Sequence, residues 1–273
     1  AGSTSVAVLD GGNLSFVRQI VIGHPILSIA YDSSVSQNLF VTSGNTVFSV
    51  NPRTGTLERN ATFANDVDGI ALDPANGRLF VGEYPDGVIS VLNASSLAPL
   101  STIVLPGCCA LQFAIDATTQ VMYAATGTNF IYSVNAATDT FDKSVQVAPS
   151  AQNSTNSIVV DNETGRVYVA TSPGGSIIEL DSAGNVVGHY EVQSQSQVAG
   201  MAVDTKTEEL YATNYHQITV FDAARPRTFF FLIAVTGVVV AVAAIGIFLF
   251  LRRRGNRERT QIQSGRQTEG RLQ

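Results

Sequence analysis

Tryptophan is absent from this 273-residue chain, cysteine and methionine occur twice each, and only 14% of residues are charged. An ordinary soluble protein carries charge on roughly a quarter of its residues. Basic residues are scarcest where a nucleic-acid surface would need them: residues 1–227 hold 20 acids against 9 bases. Phosphate neutralisation requires clustered Lys and Arg, so a nucleic-acid partner is excluded. Metal patterns are missing as well. The three histidines form no H-x-H and no H-E-x-x-H, and no D-x-D-x-D-G loop occurs. What is plentiful is apolar residues (45%) and 23 glycines, a composition that is neither disordered nor fibrous.

The charge missing from the body reappears at the C-terminus. Phe229 to Leu251 is a run of 23 residues with no charge and a single hydroxyl, Thr236. At ~1.5 Å per residue it spans roughly 35 Å, enough for the hydrocarbon core of a bilayer. Arg252, Arg253 and Arg254 close it, and residues 252–273 hold seven arginines against two glutamates. Positive flanks stay in the cytoplasm, so the reading is a cell-membrane protein with a single pass. Residues 1–226 form the external domain, 227–251 the transmembrane helix, and 252–273 a disordered, Arg-rich cytoplasmic tail. Membrane lipid is then a partner through 229–251. Gly237 and Ala241 are spaced as a small-xxx-small pair. No leader precedes Ala1, so a mature product or a fragment is expected.

The body repeats. An apolar run ending in Asp recurs at 28–32, 69–73, 112–116, 157–161 and 200–204, and its aspartates are 41, 43, 45 and 43 residues apart. Each is followed by a second run (Leu39–Thr42, Leu79–Gly82, Val121–Ala125, Val167–Ala170, Leu210–Thr213) and a third ending in Asp or Asn. A weaker fourth run closes the unit. The runs are short, rich in Val, Ile, Tyr and Phe, and bounded by turn residues, which makes them strands. Four strands in about 43 residues is the period of a propeller blade. The predicted fold class is therefore all-β, a β-propeller of four-stranded blades, about five of them present, followed by one transmembrane α-helix. The first runs are nearly continuous apolar, as expected of strands covered on both faces. The repeated Asp reads as a turn-former that hydrogen-bonds forward, not as a metal ligand.

The segments GIALDPANGRLFVGE (69–83), SIVVDNETGRVYVAT (157–171) and GMAVDTKTEELYATN (200–214), with the literal Thr54-Gly55-Thr56 turn, resemble the YVTN-type repeat propellers of archaeal and bacterial surface proteins. The resemblance covers about residues 1–222. It implies a surface-displayed propeller and says little of activity, because the repeated motif is structural. Such propellers usually have six to eight blades, the last completed by a strand from the other terminus. Here four full units span 27–192, a three-stranded unit spans 199–222, and an N-terminal pair spans 5–22. Either strand 16–22 completes the last blade and closes a five-bladed ring, or further blades precede the chain; the surplus strand 5–10 favours the second.

Loops on a rigid scaffold carry function, and the loops entering the first strand and joining the second to the third share one face of a propeller. That face is expected to hold His24, Asp66, Asp68, Glu83, Tyr84, Tyr215 and His216. Asp66 and Asp68 could approach one cation, so calcium or another divalent ion is the only candidate; no cofactor is otherwise predicted. Glu83 with His24 or His216 could form an acid–base pair. Adjacent Cys108 and Cys109 have Cα atoms ~3.8 Å apart, below the usual disulfide range. They read either as a vicinal disulfide in a strained turn or as two separate thiols in a tight one. Sequons at Asn13, Asn60, Asn93, Asn153 and Asn162 are candidate glycosylation sites. The leading expectation is a cell-surface binding module with a protein or glycan partner. The alternative is an external lactonase- or lyase-like enzyme using a divalent cation.

Overall fold

The computed structural model of the chain describes residues 3–223 other than 11, 14, 35, 108, 110, 111, 149–153, 174, 193–196, 215 and 216. The 229–251 run, the Arg-rich tail, Cys108, Tyr215, His216 and Asn153 lie outside the described residues. Among the described residues there is no helix, and so none long and apolar enough to cross a membrane.

Every run expected to be a strand is one. A hairpin of β1 (Ser5–Leu9) and β2 (Phe16–Val21) comes first. Four meandering four-stranded antiparallel sheets follow. The first is β3 (Ser28–Tyr31), β4 (Leu39–Ser43), β5 (Thr46–Val50) and β6 (Leu57–Thr62). The second is β7 (Asp66–Asp73), β8 (Arg78–Tyr84), β9 (Val88–Asn93) and β10 (Pro99–Val104). The third is β11 (Gln112–Asp116), β12 (Val121–Ala125), β13 (Phe130–Asn135) and β14 (Thr140–Gln146). The fourth is β15 (Ser154–Asp161), β16 (Arg166–Ser172), β17 (Ser176–Leu180) and β18 (Val186–Glu191). A three-stranded sheet ends the array, with β19 (Gly200–Asp204), β20 (Glu209–Thr213) and β21 (Ile218–Asp222).

Successive sheets pack through their first strands, β3 on β7, β7 on β11, β11 on β15 and β15 on β19. Apolar clusters fill each gap. Phe40 and Val47 meet Val67, Ile70, Leu79 and Val81 in one; Ile89, Val91, Ile103 and Leu105 meet Met122, Ala124 and Val134 in the next. The second strands, not the first, are the most completely buried: all five residues of β4 and the central five of β8 and β16 are covered. A first strand pairs on one side only, so β3 and β11 keep partial exposure despite their apolar sequences.

The turns follow local chemistry. Oδ1 of Asp32, Asp73, Asp116, Asp161 and Asp204 each accepts the N–H two residues ahead, 2.9–3.0 Å away. This is the forward bond expected of the repeated Asp. Gly77 and Gly165 stand four residues after theirs at φ +61° and +68°, a conformation that glycine adopts at least cost, while Gln120 and Glu208 hold the equivalent positions at φ +58° and +54°.

A register shift marks each ladder between the third and fourth strands, at Ser49/Val50, Pro99/Ser101, Ser133/Val134 and Glu179/Leu180. The β1–β2 ladder has the same shift, at Val8/Leu9. This hairpin is therefore a third-and-fourth-strand pair. Its Ile20, Ile22, Val6 and Val8 cover Leu39, Val41 and Val50 of the first full sheet. Strand 16–22 does not complete the last sheet: β2 is hydrogen-bonded to β1, and β21 to β20 alone among the described residues.

Candidate functional site

Antiparallel meandering puts the loops between sheets and the second-to-third-strand turns at the same end of every sheet. Hydrogen bonds tie the two sets together. Phe63, Leu105, Val147 and Val192, just past the fourth strands, donate their N–H groups to the carbonyls of Asn45, Gly87, Asn129 and Gly175. The loop end is thus rigidly built four times over.

At this end lies the turn Tyr84-Pro85-Asp86-Gly87, which joins β8 to β9. Tyr84 is exposed, and Gly87 takes φ +64° to close the turn. Asp86 accepts a hydrogen bond from Asn65 Nδ2 at 3.0 Å, joining the incoming loop to the turn. Cys109 sits beside them at φ +64°, with its Sγ 3.7 Å from the Pro85 carbonyl. The Cys108 half of the expected pair lies outside the described residues.

Asp66 and Asp68 were expected in a loop, and so were Glu83 and Tyr84; all four belong to strands. The β7–β8 ladder runs on to Asp66 opposite Tyr84 and Val67 opposite Glu83, with a register shift between Val67 and Ile70. Fully buried Val67 anchors this extension. Asp66 is exposed and Asp68 half-buried. Burial raises the Asp68 carboxyl above its ordinary value, and the neighbouring Asp66 charge adds to the shift. Those two carboxylates are the charged pair that the sequence placed together.

Glu83 is buried, and its Oε1 accepts from Ser90 Oγ at 2.7 Å. The same position in the other four-stranded sheets holds Ser43, Thr126 and Thr171, whose hydroxyls bond the carbonyls of Pro25, Phe130 and Ser176. Glu83 therefore fills a structural slot that its neighbours fill with hydroxyls. His24 is exposed and stacks on Phe48, with ring centroids 6.3 Å apart. Among the described residues no three His, Cys, Asp or Glu side chains come together to hold a metal ion.

Two buried features escaped the sequence reading. Thr126 and Thr155 are fully buried, and Thr155 Oγ1 accepts the Thr126 N–H at 2.9 Å, a lock between the third and fourth sheets. The polar residue that ends each second run was the available signal. Asn156 Nδ2 is buried without a hydrogen-bond partner among the described residues, at the place that Asp68 takes in the second sheet. Nothing local to Asn156 marks it, because its burial depends on neighbouring sheets.

At the opposite end a cleft of 170 Å³ lies between the first and second sheets, floored by Leu72 and Ala94 and rimmed by Asp32, Ser36, Asn93 and Ser95. It is smaller than the usual ligand pocket of ~300 Å³ or more. Its polar groups are engaged: Asp32 accepts from Ser34 and Ser36, and Asn93 from Ser95 and Ser96. Of the described sequon asparagines, Asn13, Asn60 and Asn162 are exposed and Asn93 is half-buried. Asn162 Oδ1 also accepts the Ala117 N–H of the neighbouring sheet at 2.8 Å.

No protein-family model matches the chain, and no curated protein matches it.

Proposed function

We propose that the chain is a membrane-anchored, cell-surface β-propeller of the YVTN-repeat kind that serves as a binding module for a protein or glycan partner. The observation that carries this reading is the repeated sheet array, whose loop end is pinned by the same backbone bonds in each of the four full sheets. Rigid scaffolds bind through such loops because ordering entropy has already been spent. Exposed Tyr84 and the Asn65–Asp86 bridge offer an aromatic face and polar groups, the mixture that recognition surfaces favour. The 229–251 run supplies the tether, and its arginine flank sets the N-terminal domain outside. Exposed Asn60, on the outer strand β6, suits a glycosylated surface.

Val239→Arg tests the tether. A central charge costs ~2.5–3.5 kcal/mol on insertion scales. The variant is expected in the soluble fraction after carbonate washing, whereas the unaltered chain stays with membranes and loses its N-terminal domain to external protease. Retention of the variant in washed membranes, or protection from external protease, contradicts the reading.

A further inference from the structure

In each of the four full sheets one position of the outer strand is apolar and exposed. Leu57, Pro99, Phe141 and Val186 share this register position, just after the third-to-fourth turn, opposite the buried Val50, Leu92, Val134 and Leu180. Leu57 is 47%, Phe141 38% and Val186 56% exposed; Pro99 is exposed too and is followed by Leu100 at 53%. Three residues further along, the same strands carry Asn60, Thr102, Ser144 and His189, all polar and exposed. Single exposed apolar side chains are ordinary on any surface. Recurrence at one position, at one end of every full sheet, is a pattern.

That end is also where the chain leaves the array. Third strands finish there and outer strands begin there. Asp222, the last residue of β21, pairs with Glu209, the first of β20, and Ala223 donates its N–H to the Glu208 carbonyl inside the Asp-led turn. Five residues, 224–228, then precede the uncharged run that opens at Phe229. Six steps of at most ~3.6 Å put Phe229 within about 22 Å of Ala223, whatever path the chain takes.

From the recurrence and the short tether we infer that the outer-strand ends form a lipid-contacting rim, with Leu57, Pro99, Leu100, Phe141 and Val186 meeting the interfacial layer of the bilayer that holds 229–251. The inference rests on the membrane-anchored reading and deepens it by naming the surface of the domain that meets lipid. Binding of such side chains to a bilayer scales with the apolar area they bury, so a few of them hold weakly by themselves. The tether makes the contact intramolecular, at a high effective concentration, and a weak contact then suffices. The loop end, at the other end of the strands, is left to an external partner.

The test uses the full-length chain in phosphatidylcholine liposomes doped with a phosphatidylcholine that carries a photoactivatable diazirine high on its acyl chain. Irradiation followed by peptide mapping is expected to find lipid adducts in 229–251 and at the starts of the outer strands, and none in 84–87. The triple variant Leu57→Ser, Leu100→Ser and Val186→Ser is expected to lower the outer-strand adducts at least fivefold while those in 229–251 stay unchanged. All three side chains are exposed, so the fold is retained, as amide exchange in β7–β18 checks. Adducts in 229–251 without any in the outer strands, or equal adducts in the triple variant, overturn the inference and leave the anchor standing. Adducts as frequent in 84–87 as in the outer strands overturn it as well, because contact would then not belong to this end. No adducts in 229–251 overturn the inference and the anchored reading together. Conversion of a dimer to a monomer by the triple variant overturns the inference alone, because the rim would then belong to a second copy.

Discussion

Asp68 is half-buried next to Asp66, and both its burial and that charge raise its carboxyl above the ordinary 3.8. A carboxyl that holds its proton more tightly when folded favours the fold when protonated. That stability is present below pH 3.8 and is lost as pH rises through the folded-state value. Asp181 and Asp204 act in the opposite sense. The Asn185 side chain and backbone lower the first, and the backbone of Lys206 and Thr207 lowers the second, so their contribution is lost on acidification. Asp68→Asn removes only the first effect. Thermal unfolding at pH 7 is expected to show a higher Tm for the variant, with the gap closing towards pH 4. An equal gap at both values would mean that the ionised carboxylate is not what strains this corner. The Asp-x-Asp spacing was plain in the sequence. That one member is half-buried was not, because the cover comes from the sheet around it.

Within a single sheet, the fourth has the most demanding chemistry. Glu179 on β17 is buried and makes an ion pair with Arg166 of β16, while Tyr190 OH of β18 donates to its other oxygen at 2.9 Å. Gly188 lies directly opposite Glu179 in the ladder, and a Cβ there would stand 3.1 Å from the glutamate Cβ and collide with its carboxylate. The glycine is therefore the room in which Glu179 folds down to its partners. Removing one partner of a buried pair leaves a charge without compensation, which costs roughly 3–5 kcal/mol. Arg166 is partly solvated, so Glu179→Ala is expected near the lower end, ~3 kcal/mol by denaturant unfolding, and Tyr190→Phe near 1 kcal/mol. A change below ~1 kcal/mol for Glu179→Ala would show the pair to be dispensable. The strand itself was readable from its alternation. The pairing of Glu179 with Gly188 depends on a register shift, and no pattern along the chain declares where that falls.

Across the molecule, protection falls towards the ends of the array. Sheets in the middle are covered on both faces; the last presents Ile218 and Val220 to solvent, and the first presents Ile29 and Tyr31. Each sheet mainly contacts its neighbours, so stability is close to a sum of local and nearest-neighbour contributions. Amide hydrogen exchange is expected to be faster in β19–β21 than in β7–β10, although both sheets follow the same repeat pattern. Uniform protection across all five sheets would argue against that additive picture. From sequence alone came the number of strands, the size of the sheets, the Asp-led turns and the apolar run after residue 228. These rest on alternation, on an unbroken apolar stretch or on hydrogen bonds spanning five residues or fewer, so the local chain specifies them. The tertiary structure alone decided that β2 belongs with β1, that the second strands are the most buried, and that Glu83 is buried with its carboxylate against the Ser90 hydroxyl. Those outcomes depend on surfaces some 40 residues apart meeting or failing to meet, and repeats of one pattern read alike in sequence whether or not a neighbour covers them.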